Sequence, residues 1–134
     1  MAYAPDMPTW TLNDVEGAFR GAWGRDTCDE HDLAQWRTDN KARGQCGVTA
    51  LVLRELIGGD LLFGDVRVAG VRTGGHWWNR LPGGLEVDLT REQFGPDEVV
   101  TGGEVVDVPP GPPRRCREQY DLLRARVHTH LGLS

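Results

Sequence analysis

The sequence predicts an α+β fold in which a cysteine-bearing helix packs on a small antiparallel sheet. Three observations carry this reading. Apolar residues recur at helical spacing in three stretches, near residues 12–23, 46–57 and 116–131. A run of β-rich segments lies between the second and third of them, and Pro82-Gly83-Gly84 punctuates that run as a hairpin turn signal. The length of 134 residues fits one domain, since domains commonly hold about 100–150 residues.

Residues 1–9 carry two prolines and read as a tail. Leu12, Val15, Phe19 and Trp23 then fall on one helical face, with Thr11 or Asn13 as caps. Residues 24–43 are polar and read as loop and short helix. A second helix begins near Cys46, buries Val48, Leu51, Val52 and Leu56 on one face, and stops at Gly58-Gly59, which supply a left-handed end. Strands are expected from Asp60 to Gly70, from Gly74 to Leu81 and from Leu85 to Leu89, and Thr90 caps a short turn through Phe94. Residues 95–113 are rich in glycine, proline and acids and read as a loop with one edge strand at Val105 to Val108. Cys116, Tyr120, Leu123, Val127 and Leu131 form the stripe of a C-terminal helix over residues 114–131.

Composition narrows the function. The formal charge of −5 argues against a protein that tracks nucleic-acid phosphates, which would need a basic face. No apolar run approaches the roughly 20 residues that cross a bilayer, and residues 1–9 lack the basic and apolar regions of a signal peptide. A cytoplasmic location is therefore expected, without membrane or nucleic-acid partners. The three cysteines, Cys28, Cys46 and Cys116, have no disulfide-rich spacing and are expected as free thiols.

Residues 44–94 hold the candidate site. Cys46 opens a helix, His76 lies on a strand, and Asp88 lies on the next strand. A thiol at a helix start sits among unpaired N–H groups at the positive end of the dipole, a setting that favours the thiolate. A free cysteine is also commonly a small buried apolar group, so the partners decide. His76 and Asp88 lie about equally far from Gly83 and share parity about the turn, which brings them together on one side of the hairpin. Strand alternation sends Trp78 to the side of His76, to shield the imidazole or line a substrate cleft, and Trp77 to the core. The Cys46 N–H is one oxyanion donor; Gln45, Asn40 and Gln93 are candidates for the second. Cys28 with His31, and His128 with His130, suggest zinc only weakly, because no second compact pair completes a four-ligand set.

The motifs Gly-Gln-Cys-x-x-Thr-Ala-Leu, Gly-Gly-Asp-Leu-Leu, His-Trp-Trp-Asn-Arg-Leu and Asp-Leu-Thr-Arg-Glu-Gln-Phe resemble the small bacterial YunG-like family. More distantly, the segment resembles the transglutaminase-like branch of the papain superfamily, where a cysteine on a helix, His-x-Trp on a strand and an aspartate on the neighbouring strand follow in that order. The resemblance implies that Cys46 is the nucleophile, His76 the base and Asp88 the orienting carboxylate.

The expected chemistry is acyl transfer through a thioester on Cys46, hydrolysing an amide or peptide bond or passing the acyl group to an amine, with no metal or organic cofactor. The expected partner is a peptide or a small amide or acyl substrate. Two rivals stand against it. A non-catalytic binding or regulatory module on the same fold predicts an unreactive Cys46, and a small zinc protein predicts bound metal.

Overall fold

The computed structural model describes residues 9–133. The tail expected over residues 1–9 thus lies almost wholly outside the described residues. Helix α1 spans Leu12–Ala22 and opens with a capping box: Thr11 accepts from the Asp14 N–H, and the Asp14 carboxylate accepts from the Thr11 N–H. Its buried face is Val15, Ala18, Phe19 and Ala22. The polar stretch that follows makes two short 3-10 turns, Arg25–Thr27 and Glu30–Gln35.

Helix α2 spans Cys46–Ile57 and ends at Gly58, whose φ of 87° only glycine adopts without strain. It is buried along Val48, Ala50, Val52 and Leu53. Leu51, expected in that core face, packs against the core from a partly exposed position and also borders a cleft. The helix is covered on two sides, so its buried stripe is wider and rotated from the one the apolar spacing suggests.

Four antiparallel strands, β1 (Asp60–Val68), β2 (Val71–Arg80), β3 (Glu86–Val87) and β4 (Glu98–Val106), form one sheet in the order β3-β2-β1-β4. The β2–β3 register pairs Asn79 with Val87 and Arg80 with Glu86, centred on Gly83 as the turn signal requires. The edge strand expected at Val105–Val108 is a nine-residue strand that starts at Glu98. It escaped the sequence pattern because Gly102 and Gly103, both at positive φ, form a bulge opposite Phe63 and Gly64. Its Val99 and Val105 are also half exposed, so hydrogen bonds to β1 hold the strand more than side-chain burial does.

Helix α3 spans Arg117–His130 and buries Tyr120, Leu123 and Val127. It packs on α1 and α2, while the opposite side of α2 packs on β2 and β1. The resulting core joins Phe19, Val52, Leu53, Leu89, Leu123 and Val127. Tyr120 and Arg124 of α3 both bond Glu55 of α2. These bonds fasten the C-terminal end of α2 to α3. No helix among the described residues is long and apolar enough to cross a membrane.

Candidate active site

Cys46 is the first residue of α2. The chain reaches it through Gly44 at a φ of 74°, where a Cβ would collide with the Cys28 sulfur. The first-turn N–H groups of Cys46, Gly47 and Val48 have no helical carbonyl one turn back to bond. The Gly44 carbonyl, in line for Val48, accepts from the Asp29 N–H instead at 2.9 Å.

Asp88 follows β3 by one residue, and its Oδ2 lies 2.7 Å from His76 Nε2. Its other oxygen accepts from the Thr90 N–H at 3.2 Å and the Thr90 hydroxyl at 3.3 Å. Gln93 Nε2 donates in turn to that hydroxyl oxygen at 3.0 Å. Thr90 thus orients the carboxylate and does not cap the turn Arg91–Gln93 with its side chain, as the sequence suggested. A short-range side-chain bond two residues away competes successfully with helix capping here.

The imidazole of His76 is fully buried. Trp78 stacks on it at 5.6 Å between centroids, and Phe94 meets it edge-on at 4.7 Å. With Nε2 facing a carboxylate, the neutral ring carries its proton there and presents Nδ1 as the acceptor. Nδ1 is buried and makes no hydrogen bond of ordinary geometry. The Cys46 thiol lies close enough to stabilise the protonated ring without closing one. Burial pushes the His76 pKa down, but Asp88 and then Cys46 outweigh it and raise it to about 9.

Above this group opens a cleft of about 830 Å³. Cys46, Gly47, Leu51, Phe63, Trp77 and Phe94 line it, and charged side chains including Arg43, Arg115, Asp29 and Glu98 border it. Cys46 is partly exposed there.

The remaining nominated residues separate. Trp78 shields His76 and donates to Glu86 at 2.9 Å, and it does not line the cleft; Trp77, expected as core, does, packed against Phe63 at 4.7 Å. Gln45 is fully buried and spends its amide on the Gly24 carbonyl at 2.9 Å, which ties the 3-10 turn to α2. Asn40 lies away from the cleft and donates to the Gln93 carbonyl at 3.0 Å. Gln93 borders the cleft, but both of its amide hydrogens go to Thr90. Each of the three spends side-chain N–H bonding on another part of the chain. The first-turn N–H groups of α2 are the donors that remain. Cys28 is buried and donates to the Asp29 carbonyl at 3.3 Å, whereas His31 is exposed. Among the described residues no three His, Cys, Asp or Glu side chains gather as a metal-holding group.

The family model described as YunG protein matches residues 11–132. The chain belongs to the YunG family. A Bacillus subtilis (strain 168) relative, described as uncharacterized protein YunG, is 30% identical over 83 residues, or 62% of this chain. The matched part spans 63% of that relative's length. No solved structure matches the chain. The YunG match runs from α1 to the end of α3, so it takes in every residue of the Cys46–His76–Asp88 group.

Proposed function

We propose that this protein is a cysteine-dependent acyl-transfer enzyme with Cys46 as nucleophile, His76 as acid and base, and Asp88 as the orienting carboxylate. One observation carries the reading. His76 is buried with Nε2 held by Asp88 at 2.7 Å, its Nδ1 is left without a hydrogen-bond partner, and Cys46 is near enough to favour the protonated ring. A buried imidazole with a carboxylate on one nitrogen and a thiol by the other is the arrangement that thiol acyl transfer requires. The chain order, with Cys46 opening a helix, His76 on a strand and Asp88 just past the next strand, also supports a distant kinship with papain-like and transglutaminase-like folds.

In the proposed cycle the proton of Cys46 moves to His76 Nδ1, and the sulfur attacks the acyl carbon. The C–S bond forms as the carbonyl π pair moves to oxygen, where first-turn N–H groups of α2 stabilise the charge. Collapse expels the leaving amine or alcohol, which takes the proton from the imidazolium. Water or an acceptor amine then gives its proton to Nδ1, attacks the thioester and releases the thiol.

The test uses p-nitrophenyl acetate as an activated acyl donor, with intact-protein and peptide mass spectrometry during turnover. An acetyl adduct on Cys46, lost in Cys46→Ala, is expected. Nitrophenol release that is unchanged by Cys46→Ala overturns the reading.

A further inference from the structure

We propose that the substrate is an extended peptide segment, and that the open edge of β2 at Gly75 and Trp77 holds it by main-chain hydrogen bonds alongside Cys46. This rests on the thiol reading of the same site and narrows its substrate from any amide to a polypeptide strand.

Strand β2 is ten residues long, yet β3 pairs only with its Asn79 and Arg80. The Leu81 N–H donates to the Leu85 carbonyl at 2.7 Å, which makes Leu81 and Leu85 a hydrogen-bonded pair. Antiparallel ladders alternate between bonded and non-bonded pairs. Stepping back by two along β2, Asn79, Trp77 and Gly75 therefore aim their N–H and C=O groups toward the β3 side. Asn79 meets Val87 there. Past Val87 the chain leaves the sheet, and among the described residues no main-chain group pairs with Gly75 or Trp77 on that edge.

These two residues flank His76 in sequence and line the same cleft as Cys46 and Gly47. Gly74 has open space where a side chain would stand, whereas the Phe63 ring fills that space at Gly75, which can carry no side chain. A strand laid along β2 would continue the line that β3 abandons, its main chain meeting Gly75 and Trp77 and its alternate side chains reaching Phe63 and Trp77. A small amide would use one donor–acceptor position and leave the rest of the edge unpaired; a peptide uses the whole of it.

The test compares three chloromethyl ketones that share a warhead and a terminal Phe: acetyl-Phe, acetyl-Leu-Ala-Phe, and the latter with its amide nitrogens methylated. In each, the Cys46 sulfur displaces chloride and forms a C–S bond. Second-order rate constants are read by mass spectrometry at Cys46, with Cys28 and Cys116 as internal references. The tripeptide should react about tenfold faster than acetyl-Phe, the effect of two or so main-chain hydrogen bonds, and methylation should return it to the slower rate. Equal rates for the short and long probes, or no loss on methylation, overturn strand docking. If Cys46 still reacts ahead of the other cysteines in that case, the nucleophile reading stands. If no probe modifies Cys46 ahead of them, both fall.

Discussion

Two cysteines border one cleft, and each stands at the start of a helix. Cys46 is the first residue of α2, and Cys116 precedes α3 at a φ of 59°. Their surroundings differ in sign. Cys46 adjoins a buried imidazole whose pKa is raised to about 9. The Cys116 thiol is pushed up by burial and then by the Asp29 carboxylate. Cys28, away from the cleft, is pushed up to about 12 by burial and by Asp32 and Asp29. Position on a helix is thus insufficient to define a nucleophile; the charge that faces the sulfur decides.

The largest expected effect tests the carboxylate behind His76. In Asp88→Asn, the side-chain oxygen can still accept from Thr90, but an NH₂ group then faces Nε2. The ring must accept there and carry its proton on Nδ1, the wrong tautomer for a base toward Cys46. Acyl transfer to Cys46 should fall on the order of 10²-fold or more, with a melting temperature near that of the parent. Full activity in a folded Asp88→Asn protein would break the contrast between the two cysteines.

Next in size is the contrast itself. Under limiting iodoacetamide at pH 7, peptide mapping should show Cys46 alkylated at least about tenfold faster than Cys116 or Cys28. His76→Ala should erase most of that lead. Equal rates at the three sites would reduce Cys46 to an ordinary partly exposed thiol.

A smaller effect sharpens the other side. Asp29 pairs with Arg115 at 2.6 Å and holds up the Cys116 pKa. Asp29→Asn removes the negative charge and leaves Arg115 unpaired, so Cys116 should alkylate roughly threefold faster at pH 8. Cys46 should be unaffected, and an equal acceleration at both sites would point to loosened structure instead.

The smallest effect is in stability. A histidine with its folded pKa raised from 6.5 to about 9 binds its proton more tightly in the native state. Its contribution is fully present below about pH 6.5 and is lost as pH rises through 9. The melting temperature should therefore decline across that window. Cys46→Ser should move the decline to lower pH by removing one group that favours the imidazolium, whereas Cys116→Ser should leave it in place.

The parts of this site that were legible in the sequence share a cause. A turn signal fixes register, and register carried His76 to Asp88 without knowledge of the rest of the fold. A helix start needs only glycine and apolar spacing, which located Cys46. The oxyanion candidates could not be separated because Asn40, Gln45 and Gln93 sit in turns and at a helix cap, where the direction of a side chain depends on partners such as Gly24 and Thr90. The two tryptophans were sorted correctly by face, and Trp78 takes the first of its two expected roles by shielding the imidazole; the cleft falls to Trp77, because alternation cannot say which side of a sheet stays open. Strand β4 was cut short because a glycine bulge and exposed valines resemble a loop when read one residue at a time.

The enclosure of His76 also constrains the traffic of protons. Asp88 occupies one nitrogen, and Trp78 and Phe94 cover the ring, so bulk water has no direct approach to it. A proton can enter or leave only through the ring's two partners, Cys46 on the cleft side and the Asp88 carboxylate, which is 26% exposed. The ring then behaves as a shielded reservoir that exchanges through those partners and not directly with water.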